Sequence, residues 1–95
     1  MPKTVLETVQ EVIGKYADLI PEKVKADNTI GTGQDINLDS LDQVEMIMAL
    51  EDALNIKIPD EAVKGIKSVQ DILDIIQSKT GLGPQDKLNA KQTSL

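Results

Sequence analysis

Three observations predict an all-α domain: a four-helix bundle with a long loop between the first two helices and a short third helix. Apolar residues recur at helical spacing along the chain, and no stretch shows the alternation of a half-buried strand. The apolar set is almost wholly Ile, Leu, Val, Ala and Met, with Tyr16 the one aromatic residue. Aliphatic side chains of this kind fill the space between packed helices. A chain of 95 residues builds a single modest core.

The first helix is expected from about Thr4 to Ala17, with Val5, Leu6, Val9, Val12, Ile13 and Tyr16 on one face. Thr4 and Glu7 have the spacing of a capping box, and Gly14 weakens the helix from within. From Asp18 to Asp39 the period disappears among Pro21, Asn28, Thr29, Gly31, Thr32 and Gly33. Val24, Ile30 and Ile36 are the residues expected to pin this loop to the core. The second helix is expected from about Ser40 to Leu54. A connection anchored by Ile56 and Ile58 leads past Pro59 to a short third helix, from Asp60 to about Ile66.

Ser68 is the expected cap of the fourth helix, from Val69 to about Lys79, with Asp71 in its first turn. Val69, Ile72, Leu73 and Ile76 mark its buried face, and Gly81 ends it. Residues 1–80 therefore read as the domain. Residues 81–95 lack a periodic apolar face and read as a flexible tail outside the core.

Composition removes several classes of function. Sixteen acids against ten basic residues give a formal charge of -6, which disfavours nucleic acid and anionic membrane surfaces and favours partners with basic patches. With neither Cys nor His, disulfides, thiolate nucleophiles, Cys/His zinc sites and His-based triads are excluded. The N-terminus is unlike a signal peptide and no stretch is long enough to span a bilayer, so a cytoplasmic monomer without stable membrane insertion is expected.

The second helix carries two apolar stripes. Met46, Ile47, Leu50 and Leu54 form the natural core stripe, while Leu41, Val44 and Met48 lie roughly a quarter turn or more away. Asp39, Asp42, Glu45, Glu51 and Asp52 surround this second stripe, and no Lys or Arg falls between Asp39 and Lys57. Periodicity alone leaves two readings open: a wide core stripe with a solvated acidic face, or a surface that docks with basic, shallow apolar sites.

Ser40 also has two readings. Ser40 and Gln43 match a capping box, so the serine can serve as a helix cap. Alternatively its hydroxyl lies exposed at the positive end of the helix dipole, where a phosphate ester is well accommodated. No base lies nearby in sequence to activate it, so Ser40 reads better as the substrate of another enzyme than as a catalytic residue.

The segment Asp35-Ile36-Asn37-Leu38-Asp39-Ser40-Leu41-Asp42 resembles the signature of the acyl carrier protein family. Val44 to Asp52 resembles that family's recognition helix. Ile58-Pro59-Asp60-Glu61 and Ser68-Val69-Gln70-Asp71 resemble its later turn and last helix start. The resemblance covers roughly residues 4 to 80 and departs from the signature at Asn37, Leu38 and Ile30.

This resemblance implies a 4'-phosphopantetheine arm from coenzyme A on Ser40, placed there by a phosphopantetheinyl transferase, with acyl groups carried as thioesters on its thiol. It implies that Asp39, Leu41, Asp42, Val44, Glu45, Met48, Glu51 and Asp52 meet partner enzymes. Those partners are acyl-transfer, condensing and reducing enzymes of fatty-acid or related lipid and polyketide synthesis, with basic docking patches. The chain is then a carrier without catalytic residues or a metal site. Ile47 and Ile72 are candidates for lining a sheltered acyl site. The rival readings are a carrier of aminoacyl or peptidyl cargo and an unmodified acidic interaction module. An EF-hand is disfavoured because Ser40 and Met46 occupy the positions of its essential Gly and Glu.

Overall fold

The computed structural model describes residues 3–88. It contains α1 (Val5–Ala17), a 3-10 turn at Pro21–Lys23, α2 (Ser40–Leu54), α3 (Asp60–Lys64) and α4 (Val69–Thr80). Among the described residues there are isolated bridges but no strands. The expected all-α bundle, its long first loop and its short third helix are all present.

Core formation follows the apolar spacing. Val5, Val9 and Ile13 of α1 meet Met46, Ile47, Leu50 and Leu54 of α2 and Val69, Ile72, Leu73 and Ile76 of α4 in one cluster. Val24, Ile30 and Ile36 pin the long loop as expected, and Leu38 joins them. Among the described residues no polar or charged side chain is buried, so this core depends on apolar burial alone.

The ends of α1 and α4 are closed by other parts of the chain. Thr4 and Glu7 form the capping box at α1, and Ser68 and Asp71 form another at α4. At α4, Val69 N donates to Asn28 O (3.0 Å) and Gln70 N to Ala26 O (2.9 Å), so the long loop supplies carbonyls to the helix's first N–H groups. Ile30 N also donates to Lys67 O (2.9 Å), fastening the loop at a third point. Gly81, at φ 77°, ends α4 in the left-handed conformation that glycine adopts most easily.

Three expectations need correction. α3 stops at Lys64 because Gly65 turns its N–H onto Ala62 and Ile66 folds inward to the core. Gly14 is more than a weak point of α1: a Cβ there would lie 2.5 Å from the Leu19 carbonyl oxygen. That close approach lets Leu19 N donate to Gly14 O (2.9 Å) as the chain leaves the helix.

The third correction concerns the segment after Gly81. Val5 N donates to Asp86 O (2.9 Å), Leu6 N to Pro84 O (3.1 Å), and Leu88 N to Lys3 O (2.9 Å). Leu88 enters the core. Residues 82–88 are thus a strap on the start of α1, not a flexible tail. The remainder of the expected tail, 89–95, lies outside the described residues.

Candidate functional site

The approach to α2 is held from behind. Leu38 is 1% exposed, and its N–H donates to Gly31 O. Gly33 N donates to Asn37 Oδ1 (2.8 Å), and Gln34 N donates to Gly31 O (3.0 Å), folding the Gly-rich turn on itself. Asn37, a departure from the signature, therefore has a local role: its side chain closes the turn.

The helix cap is Asp39. Its Oδ1 accepts from Asp42 N at 2.8 Å, and Gln43 N donates to Asp39 O at 2.9 Å as the first helical turn. Gln43 Nε2 reaches back to Leu38 O (3.1 Å). The capping-box reading of Ser40 is thereby corrected: the helix begins one residue earlier, and Ser40 is its first helical residue. Asp is as good a cap as Ser, and burial of Leu38 places Asp39 where its carboxylate meets the third helical N–H. Ser40 is exposed. No hydrogen bond to its hydroxyl, to its N–H or to the N–H of Leu41 occurs among the described residues.

Beyond Ser40 the two stripes of α2 separate cleanly. Met46, Ile47, Leu50 and Leu54 are buried. Leu41, Val44 and Met48 are 66%, 49% and 58% exposed, and with Ile20 they are the large apolar side chains left most open to solvent among the described residues. The wide-core reading of the second stripe is excluded by these exposures.

The acids differ in what they touch. Asp39, Glu45 and Asp52 are exposed, and Asp42 is half-buried. Glu51 is also half-buried, and its Oε2 accepts from Ile58 N at 2.7 Å, fastening the connection that leads to α3. None of these acids forms an ion pair among the described residues, where the ion pair found joins Lys3 and Glu11. Asp35 Oδ2 accepts from the N–H and hydroxyl of Thr29, tying the two ends of this turn together.

Two open recesses flank Met48. One, of about 250 Å³, is lined by Val44, Ile47, Met48 and Glu51 of α2 with Ile58, Asp60 and Val63. The other, of about 270 Å³, lies between Glu45, Met48, Ala49 and Asp52 and the Tyr16 ring of α1. Ile47 lines the first of these open recesses, while Ile72 is fully buried between the helices. Tyr16, Ile58 and Val63 were not legible as members of this surface, since nothing within α2 signals which neighbours frame it.

Comparison with known proteins agrees with this geometry. Residues 3–76 match the family described as "Phosphopantetheine attachment site". The chain is 43% identical over 75 residues to a protein named "Acyl carrier protein" from Thermosynechococcus vestitus, covering 79% of this chain and 90% of that one. It is 39% identical over 77 residues to a protein of the same name from Prochlorococcus marinus, covering 81% and 94%.

Proposed function

The chain belongs to the acyl carrier protein family, whose members carry acyl groups on phosphopantetheine, and on that premise we propose that Ser40 is the residue that takes the arm. The observation that supports this most is the freedom of its hydroxyl. Ser40 stands exposed at the first position of α2 while Asp39 does the capping. The N–H groups of Ser40 and Leu41 lie beside it, and a phosphodiester at this helix start meets favourable backbone charge.

In the attachment reaction the Ser40 oxygen attacks the phosphorus that bears the pantetheine chain of coenzyme A. The phosphoanhydride bond to the adenosine bisphosphate breaks, and a phosphodiester forms. The hydroxyl proton passes to a base supplied by the transferase. Once attached, the arm supplies the thiol that this cysteine-free chain lacks. Chemistry on the acyl group then belongs to partner enzymes in the cytoplasm, in fatty-acid or related lipid or polyketide synthesis.

The surface formed by Leu41, Val44 and Met48, with Asp39, Asp42, Glu45 and Asp52 around it, is the part we assign to those partners. An apolar centre supplies contact area, and exposed acids steer an approaching basic patch. Glu51 contributes less directly, since it already serves Ile58 N. Incubation with coenzyme A and a phosphopantetheinyl transferase, followed by intact-mass measurement, tests the assignment. One phosphopantetheine per chain is expected. Absence of the adduct with several transferases, or its persistence in Ser40→Ala, would refute the choice of Ser40.

A further inference from the structure

The start of α2 contains two overlapping capping frames. Asp39 and Asp42 make one, with the Asp39 carboxylate accepting from Asp42 N. Ser40 and Gln43 make the other, a capping box in sequence that the structure leaves unused. The two frames exclude each other because a helix has one N-cap. In the second frame the Ser40 hydroxyl would accept from Gln43 N, and the Gln43 side chain would leave Leu38 O for Ser40 N. The hydroxyl would then be held against the backbone.

We propose that Asp39 is a positioning residue: by holding the N-cap it keeps the helix in the frame that leaves the Ser40 hydroxyl free. This rests on the reading of Ser40 as the attachment residue. The surrounding contacts favour the Asp39 frame in two ways. Leu38 is locked in the core just before the cap, and Gln43 Nε2 braces Leu38 O, which keeps the Gln43 side chain out of the competing box. Asp39 thus acts on the serine through the helix start, without touching the hydroxyl. Its negative charge can serve docking as well, and the two contributions separate by substitution.

The test compares Asp39→Asn, Asp39→Ser and Asp39→Ala, which all remove the charge while only the first two retain a capping side chain. With coenzyme A and a transferase, kcat/KM for the alanine variant is expected to fall on the order of three- to tenfold below the other two, matching the usual worth of a cap. Amide hydrogen exchange reads the frame directly in unmodified protein. In Asp39→Ala the Asp42 N–H should lose protection while the Gln43 N–H keeps it through the Ser40 hydroxyl, so that adding Ser40→Ala should expose Gln43 as well. Gln43 protection that survives the double substitution would show that the backbone carbonyl of residue 39 still holds it and would overturn the proposal. Loss of protection at both N–H groups in Asp39→Ala itself would mean simple fraying and would overturn the proposal. Equal kcat/KM for all three variants would overturn it as well, leaving charge as the whole contribution of Asp39. A parent protein that accepts no phosphopantetheine would instead remove the underlying assignment of Ser40.

Discussion

Two helices of this domain carry a serine at their start, and the chain uses the two serines in opposite ways. Ser68 sits before α4 and accepts from Asp71 N, while Asn28 and Ala26 carbonyls take the N–H groups of Val69 and Gln70. Ser40 sits one step inside α2, where Asp39 takes the corresponding position and no loop carbonyl meets the N–H groups of Ser40 and Leu41 among the described residues. One helix start is closed by the fold and the other is left to face solvent. A one-residue offset in the cap decides whether a serine hydroxyl is part of the scaffold or available for chemistry.

The sharpest way to break this contrast is to truncate both serines. Ser40→Ala should abolish phosphopantetheine attachment completely by intact mass. Ser68→Ala should be modified normally yet unfold more readily, by about 1 kcal/mol in urea titrations, as expected for a lost cap. Equal effects of the two substitutions on modification would erase the distinction.

The residues on either side of the Asp39–Ser40 step should differ almost as strongly. Leu38→Ala empties a core position and should cost about 2 to 5 kcal/mol. Leu41→Ala trims a largely exposed side chain and should change stability by less than about 0.5 kcal/mol, while slowing loading by partner enzymes.

Opening a closed helix start should have an intermediate effect. Truncation after Leu82 removes the Pro84 and Asp86 carbonyls from α1 and Leu88 from the core, and should lower stability by about 2 to 3 kcal/mol. Attachment at Ser40 should survive wherever the variant remains folded. The smallest effect on folding is expected for Glu45→Lys combined with Asp52→Lys, since both acids are exposed and without ion pairs among the described residues. Its loading rate should fall severalfold at low salt and approach that of the parent as salt rises, because exposed charges are screened over about 8 to 10 Å near physiological ionic strength. A rate insensitive to both charge and salt would show that the acids take no part in docking.

Side-chain periodicity made the helices and their buried faces legible: the core residues of α2 and α4 are those the spacing marks. The second stripe of α2 was visible as a stripe, but its exposure depended on the directions of α1 and α3, which a single helix does not encode. The serine's frame was ambiguous because Asp39 and Ser40 are comparable caps, and the choice came from Leu38 being buried one residue earlier. The role of Glu51 was hidden for a similar reason, since a half-buried carboxylate serving a backbone N–H has the same sequence pattern as a solvated one. The strap at 82–88 left no periodic signal because it is joined to α1 largely through main-chain groups, with Leu88 its buried side chain.

That strap has a topological consequence. Because Leu88 N donates to Lys3 O, the two ends of the described chain lie side by side. A short peptide link between these two points would close the chain into a ring with little distortion, and new ends could then be opened at an exposed turn such as Thr32-Gly33. Spliced into a larger protein, the domain would hang from a single point of suspension.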